Sequence, residues 1–165
     1  MNEKNMTIRQ PVPDDAPALA AVEAVCFPAA EAAPLSQFEG RLAVYSRHFW
    51  LLEQEGELVG FIGGMVTNSP VITDEMYEDP SLHQPDGDWQ AVFGLDVLPQ
   101  WRRQGCAALL METLIADARQ AGRKGCILTC KEHLIHYYAR FGYENLGISQ
   151  SVHGGAVWYD MRLTF

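Results

Sequence analysis

The sequence predicts a mixed α/β (α+β) fold, a central and mostly antiparallel sheet of about seven strands flanked by about four helices. Three observations predict it. Apolar, β-rich runs recur at Phe49–Leu52, Leu58–Val66, Val92–Leu98 and Cys126–Cys130. Between them lie stretches whose apolar residues repeat at helical spacing, as in Leu109, Leu110, Leu114, Ile115 and Ala118. No repeat, linker or low-complexity tail interrupts the series, so residues 1–165, 48% hydrophobic, read as one domain with a substantial core.

Met6 to Gln10 reads as a short strand. Pro13-Asp14-Asp15 opens a helix with acidic residues at its positive end and Leu19, Ala20, Val22, Val25 and Cys26 behind them. Phe27-Pro28 ends it, and Ala29 to Leu35 is a loop. Ser36 is a candidate cap for a second helix running to Tyr45, with Leu42 and Val44 among its apolar positions. Phe49–Glu53 and Leu58–Val66 form a hairpin, although Gly60, Gly63 and Gly64 would weaken a strand that had only to pack. Thr67 to Trp89 has no clean period and carries six acidic residues and three prolines, which points to a functional or mobile loop. Gln90 to Leu98 is one strand, and Gly105 to Ala121 is the helix that follows it. Cys126–Cys130 is a buried strand, and His133–Arg140 a helix ended by Phe141-Gly142. Tyr143–Ser149 and Ala156–Leu163 close the sheet.

With 12 basic against 21 acidic residues, the chain disfavours a nucleic-acid backbone as partner. No apolar run reaches the ~18 residues of a membrane span. Met1-Asn2-Glu3-Lys4-Asn5 lacks the apolar core of a signal peptide, so the expected location is the cytoplasm. There Cys26, Cys106, Cys126 and Cys130 are expected as reduced thiols packed in the core, since their spacings match no zinc pattern. His133 and His136 lack a third ligand and read as a surface pair, so no metal is expected. His153, beside Gly154-Gly155, reads as a turn residue whose turn could approach a binding site.

The chain is organised around Pro99-Gln100-Trp101-Arg102-Arg103-Gln104-Gly105-Cys106-Ala107-Ala108. A strand that enters a helix through such a turn leaves the first helical N–H groups without internal partners. With the helix dipole and two arginines they suit a phosphate or pyrophosphate. Gly105 has no side chain to hold the ligand off. The stretch resembles the cofactor motif of the GNAT superfamily of N-acetyltransferases, which Arg102, Gly105 and Ala107 satisfy. The element order β-α-α-β-β-β-α-β-α-β-β is also the GNAT order, so the resemblance covers nearly the whole chain. Within the superfamily, Leu128-Thr129-Cys130-Lys131-Glu132, Tyr137–Tyr143 and the Leu58–Gly64 hairpin are similar to the arylalkylamine (serotonin) N-acetyltransferases.

The resemblance implies acetyl transfer from acetyl-CoA to an amine. It assigns the proton for the departing thiolate to Tyr138. Main-chain groups of Leu95 and Val97 would hold the pantetheine arm. Asp96 belongs to the same cofactor strand, with its side chain on the opposite face in a structural role. Arg102, Arg103, Gln104, Gly105, Cys106, Ala107 and Ala108 would grip the pyrophosphate, while Phe27, Pro34, Leu35 and Phe93 would line an apolar acceptor pocket. One departure stands out. The arylalkylamine enzymes carry two strand histidines that relay the amine proton, and the matching positions here are Ala91 and Phe93. Asp88, His83, Glu23 and ordered water remain open as the base. The expected activity is transfer to a small primary amine, arylalkylamine or polyamine-like, by direct attack in a ternary complex of a monomer or homodimer. The alternatives are a protein or peptide acceptor, or a catalytically silent acyl-CoA sensor.

Overall fold

A computed structural model describes residues 5–165; residues 1–4, part of the polar start noted above, lie outside it. Two sheets form its middle layer. The first runs β1 (Met6–Arg9), β2 (Phe49–Gln54), β3 (Glu57–Gly63), β6 (Gly94–Val97). The second runs β4 (Val66–Thr67), β5 (Trp89–Val92), β7 (Gly125–Cys130), β9 (Tyr159–Thr164), β8 (Glu144–Ile148). All pairings are antiparallel except β5 with β7.

Helices cover both faces, which is why the central strands read as nearly unbroken apolar runs. Alternation sorts their side chains. Trp50, Leu52, Val59 and Ile62 pack with Leu110, Met111 and Leu114 of α4 (Cys106–Gln120). Leu51 and Phe61 point the other way, to Leu19 and Val22 of α1 (Ala16–Cys26) and Phe38 and Leu42 of α2 (Leu35–Tyr45). Val25 and Val44, expected on the apolar faces, are instead exposed. The second helix begins at Leu35 with Pro34 as its cap residue, so Ser36 lies inside its first turn. Asp15 steadies the entry to α1, accepting from the Val12 amide and both terminal nitrogens of Arg9 at 2.8 Å.

The expected strand Gln90–Leu98 is two strands broken at Phe93. Phe93 N–H donates to Gly63 O at 2.8 Å, while Gly94 also faces Gly63, so two residues oppose one in a β-bulge. Past the bulge the chain follows β3, whereas β7, paired with β5 as far as Leu128, continues against β9 only. The sheet therefore splits between β6 and β7. The glycines of β3 permit this: a Cβ on Gly60 would lie 2.3 Å from Asp96 O, and one on Gly64 2.2 Å from Ala91 O. Thr67–Trp89 is ordered by packing rather than by a long element. It holds α3 (Asp74–Glu78) and a 3-10 turn at Pro80–Leu82, with Ile72 and Met76 buried. The remaining helix, α5 (Ile135–Ala139), follows β7.

Candidate active site

The split opens a cavity of about 440 Å³. Val92, Phe93, Gly94, Leu95 and Val97 line one wall, and Leu128, Thr129, Cys130 and Lys131 the other. Leu98 N–H donates to Val59 O at 3.0 Å, so the alternation of an antiparallel ladder turns Asp96's main chain to β3 and those of Leu95 and Val97 to the gap. Val97 O is used there, taking Arg102 Nε at 3.0 Å and Cys26 Sγ at 3.4 Å. The cavity runs to the α4 turn, where Arg102 and Ala107 border it. Arg103 (φ 61°) and Gly105 (φ 83°) take left-handed conformations that curl the backbone into α4. The first intrahelical bond there is Leu109 N–H to Gly105 O, so the amides of Ala107 and Ala108 precede it and point out of the helix end.

At the other end the cavity meets carboxyl groups. Glu23 of α1, expected either as a base or on the surface, is buried and lines it. Its Oε2 accepts the Ala33 amide at 2.8 Å. Asp96 is fully buried beside it, and a Cβ on Gly94 would lie 2.8 Å from Asp96 Oδ1 and 3.3 Å from Glu23 Oε1. Neither Asp96 oxygen receives a hydrogen bond from a described residue. Burial first, then the charge of Glu23, raises its carboxyl well above the usual range. It therefore keeps its proton beside Glu23.

Tyr138 lines the cavity from α5, and its hydroxyl makes no hydrogen bond to a described residue. Burial, then nearby Cys130, Tyr137 and Asp96, holds its proton more tightly than in an ordinary phenol. The adjacent Tyr143 is spoken for, its hydroxyl donating to Met111 Sδ at 3.4 Å. Tyr77 of α3 stacks between Phe93 and His153, with centroids 4.9 and 5.0 Å away, and bonds Thr129 Oγ1 at 2.8 Å. His153 contacts Trp158 and its Nε2 lies 2.8 Å from Glu31 O, so its turn does reach the cavity. Lys131 pairs with Glu31 at 2.8 Å on the same wall.

The structure brings together most of the expected residues and separates others. Phe27 and Phe93 line the cavity, but Pro34 and Leu35 are exposed and do not, because they start α2 while Ala33 and Gln37 turn inward. Glu23, Arg41, Lys131 and His153 line the cavity together with the aromatic rings. Asp96 lies on the cofactor strand, yet its side chain meets α1 and its main chain meets β3, which leaves it nothing to offer the gap. His83 and Asp88 are elsewhere. His83 Nδ1 accepts the Val66 amide at 3.0 Å and packs on Tyr45 and His48, and Asp88 pairs with Lys124 at 3.3 Å. Cys106, Cys126 and Cys130 are buried in the core, whereas Cys26 is half-buried at the cavity wall. Arg41 and Tyr77 were missed. Arg41's polar position was the one signal available, interrupting the apolar face that holds Phe38 and Leu42; Tyr77 sits in a segment without a period.

Comparison with known proteins agrees with this geometry. Serotonin N-acetyltransferase of Mesocricetus auratus is 28% identical over 110 residues, 66% of this chain and 52% of that protein, so the chain spans about half the length of this curated relative. The GNAT-like decarboxylase GphF, solved in complex with isobutyryl-CoA, superposes with a TM-score of 0.82 at 23% identity, over 96% of this chain and 98% of that one. The ribosomal-protein-S18-alanine N-acetyltransferase of Escherichia coli gives 0.71 at 19% identity, over 96% and 93%. The family model described as Acetyltransferase (GNAT) family matches residues 17–143, which takes in both helices over the acceptor end, the split strand, the α4 turn and Tyr138, and the chain belongs to that family.

Proposed function

We propose that the protein is an acetyl-CoA-dependent N-acetyltransferase that acts on a primary amine of a small molecule by direct attack in a ternary complex. One observation carries this reading: a single cavity joins outward main-chain groups of β6 and the α4 turn to the Glu23–Asp96 pair, with the Tyr138 hydroxyl on its wall. A CoA thioester fits the donor end by chemistry. The amides of Ala107 and Ala108, with Arg102 and Arg103, are donors for a pyrophosphate, and the Leu95 and Val97 main chains are donors and acceptors for a pantetheine arm. Bound there, acetyl-CoA supplies an activated acyl carbon and a thiol leaving group.

The rest falls to side chains of this chain. The Glu23 carboxyl on the cavity wall would attract an ammonium and take its proton so that the amine can attack. Tyr138, which lines the same cavity, would supply the proton for the departing thiolate. Burial raises the Cys106 and Cys130 thiols, and Cys26 is raised too, so none is poised as a thiolate to carry the acyl group. This supports direct attack.

The test pairs binding with turnover. Acetyl-CoA should raise the melting temperature, and CoA release should appear with small primary amines and not with N-terminal peptides. Turnover confined to peptides would move the acceptor to proteins. A melting shift with no turnover on either class would leave an acyl-CoA sensor.

A further inference from the structure

Arg41 lines the cavity and forms no ion pair with a described residue. It is 4% exposed, and its guanidinium is clamped between rings, the central carbon 5.4 Å from the Phe38 centroid and 5.3 Å from that of Phe93. Rings fix the plane of a guanidinium but accept none of its in-plane hydrogen bonds. Nη2 donates to Tyr77 O at 2.9 Å and to Gln37 Oε1 at 3.4 Å. Nε is enclosed without a partner, and Nη1 makes no hydrogen bond to a described residue. Four ion pairs exist among the described residues and none includes Arg41. Its effect on Asp96 is the smallest of the influences on that carboxyl. A buried cation normally has a matching anion, because leaving one unpaired costs far more than a neutral polar group does. Arg41 lines the cavity, one helical turn from Gln37, which lines it too.

We propose that Arg41 binds a carboxylate of the ligand at the acceptor end, carried either by the amine, as in an amino acid, or by the acyl chain of the thioester, as in a dicarboxylic acyl group. This rests on the acyl-transfer reading and narrows it. With Nη2 engaged by Tyr77 and Gln37 and Nε enclosed, Nη1 is the donor left to a carboxylate oxygen, and a charge-assisted bond of that kind is stronger than one to a neutral acceptor. The same charge repels a ligand with cationic groups at both ends, so a polyamine is the poorer acceptor. With the Glu23–Asp96 pair nearby, an acceptor bearing both amine and carboxylate finds each of its charges answered.

The test uses the wild-type protein and matched ligands. In one arm, tryptamine is compared with tryptophan and phenethylamine with phenylalanine as acceptors of acetyl-CoA. In the other, malonyl-CoA and succinyl-CoA are compared with acetyl-CoA and butyryl-CoA for binding without acceptor. A preference of roughly tenfold or more for the carboxylate partner is expected in one arm, and the arm in which it appears names the source. Arg41→Gln should erase that preference while CoA alone still shifts the melting temperature. Should Arg41→Gln not fold, Arg41→Lys keeps the charge without the fork and should weaken the preference. No preference in either arm, with the CoA shift intact, overturns the proposal and leaves acyl transfer standing. No CoA shift at all overturns both.

Discussion

Two carboxyl groups buried in contact cannot both ionise without a cation between them, and Glu23 and Asp96 have none. One proton therefore stays in the pair, and Asp96, with no N–H reaching either oxygen, is the group that keeps it. In the proposed mechanism Glu23 would serve as proton acceptor where the sequence offers Ala91 and Phe93 in place of histidines. Glu23→Gln should lower kcat by about 10²–10⁴ and Tyr138→Phe by a smaller factor, both with the CoA melting shift retained. Steady-state kinetics across pH, beside melting curves, check this; unchanged turnover in either variant removes that residue from the chemistry. Tyr138 was legible in the sequence because Tyr137–Tyr143 is a local pattern on one short helix. The Glu23–Asp96 pair was not, since an acid on α1 and one on β6 look independent until a fold sets them together under Gly94.

The turn into α4 and the bulge at Phe93 do different work. At the turn, conformation is local: Gly105 is left-handed, with open space where a Cβ would go. Gly105→Val should thus cost about 1–2 kcal/mol of stability from the backbone alone. It should also abolish the CoA-induced melting shift, because the added side chain stands where the phosphate would approach. A retained shift would place the phosphate elsewhere. At the bulge the control is remote. Gly60 and Gly64 let β6 and β5 close on the β3–β4 segment to distances no Cβ would allow, and the extra residue lets the chain leave β7. Periodicity alone reads Gln90–Leu98 as one strand, because a single inserted residue does not disturb an apolar run. Pairing partners, which the run does not name, decide where it divides.

Across the whole molecule, burial of ionisable groups sets how stability depends on pH. His48 is buried behind the sheet, its Nδ1 3.1 Å from Gln90 Oε1, and burial followed by the charge of His83 pushes it down to about 4. Its folded value lies below the unfolded ~6.5, so the unfolded chain binds the proton first and stability falls as pH drops from about 6.5 to about 4. Asp96, raised, acts in the opposite sense, its penalty growing as pH rises above the unfolded carboxyl range. The two are separated by substitution. Relative to His48→Gln, the wild type should lose on the order of 2 kcal/mol between pH 7 and pH 4, read from denaturant melts at each pH. A constant difference would mean that His48 titrates normally.

Element order, strand alternation and the left-handed entry to α4 follow from neighbours along the chain, because periodicity, a left-handed glycine and a helix start act over a few residues. The contents of the cavity do not. Its polar side chains come from α1, α2, Tyr77 of the Thr67–Trp89 segment, Lys131 after β7 and the His153 turn, brought over a split that exists only once β7 has chosen β5 and β6 has chosen β3. Burial and the distance between residues remote in sequence turn Glu23 and Asp96 into one carboxyl pair and Arg41 into a buried cation without an ion pair among the described residues, and neither quantity is defined until the chain has folded.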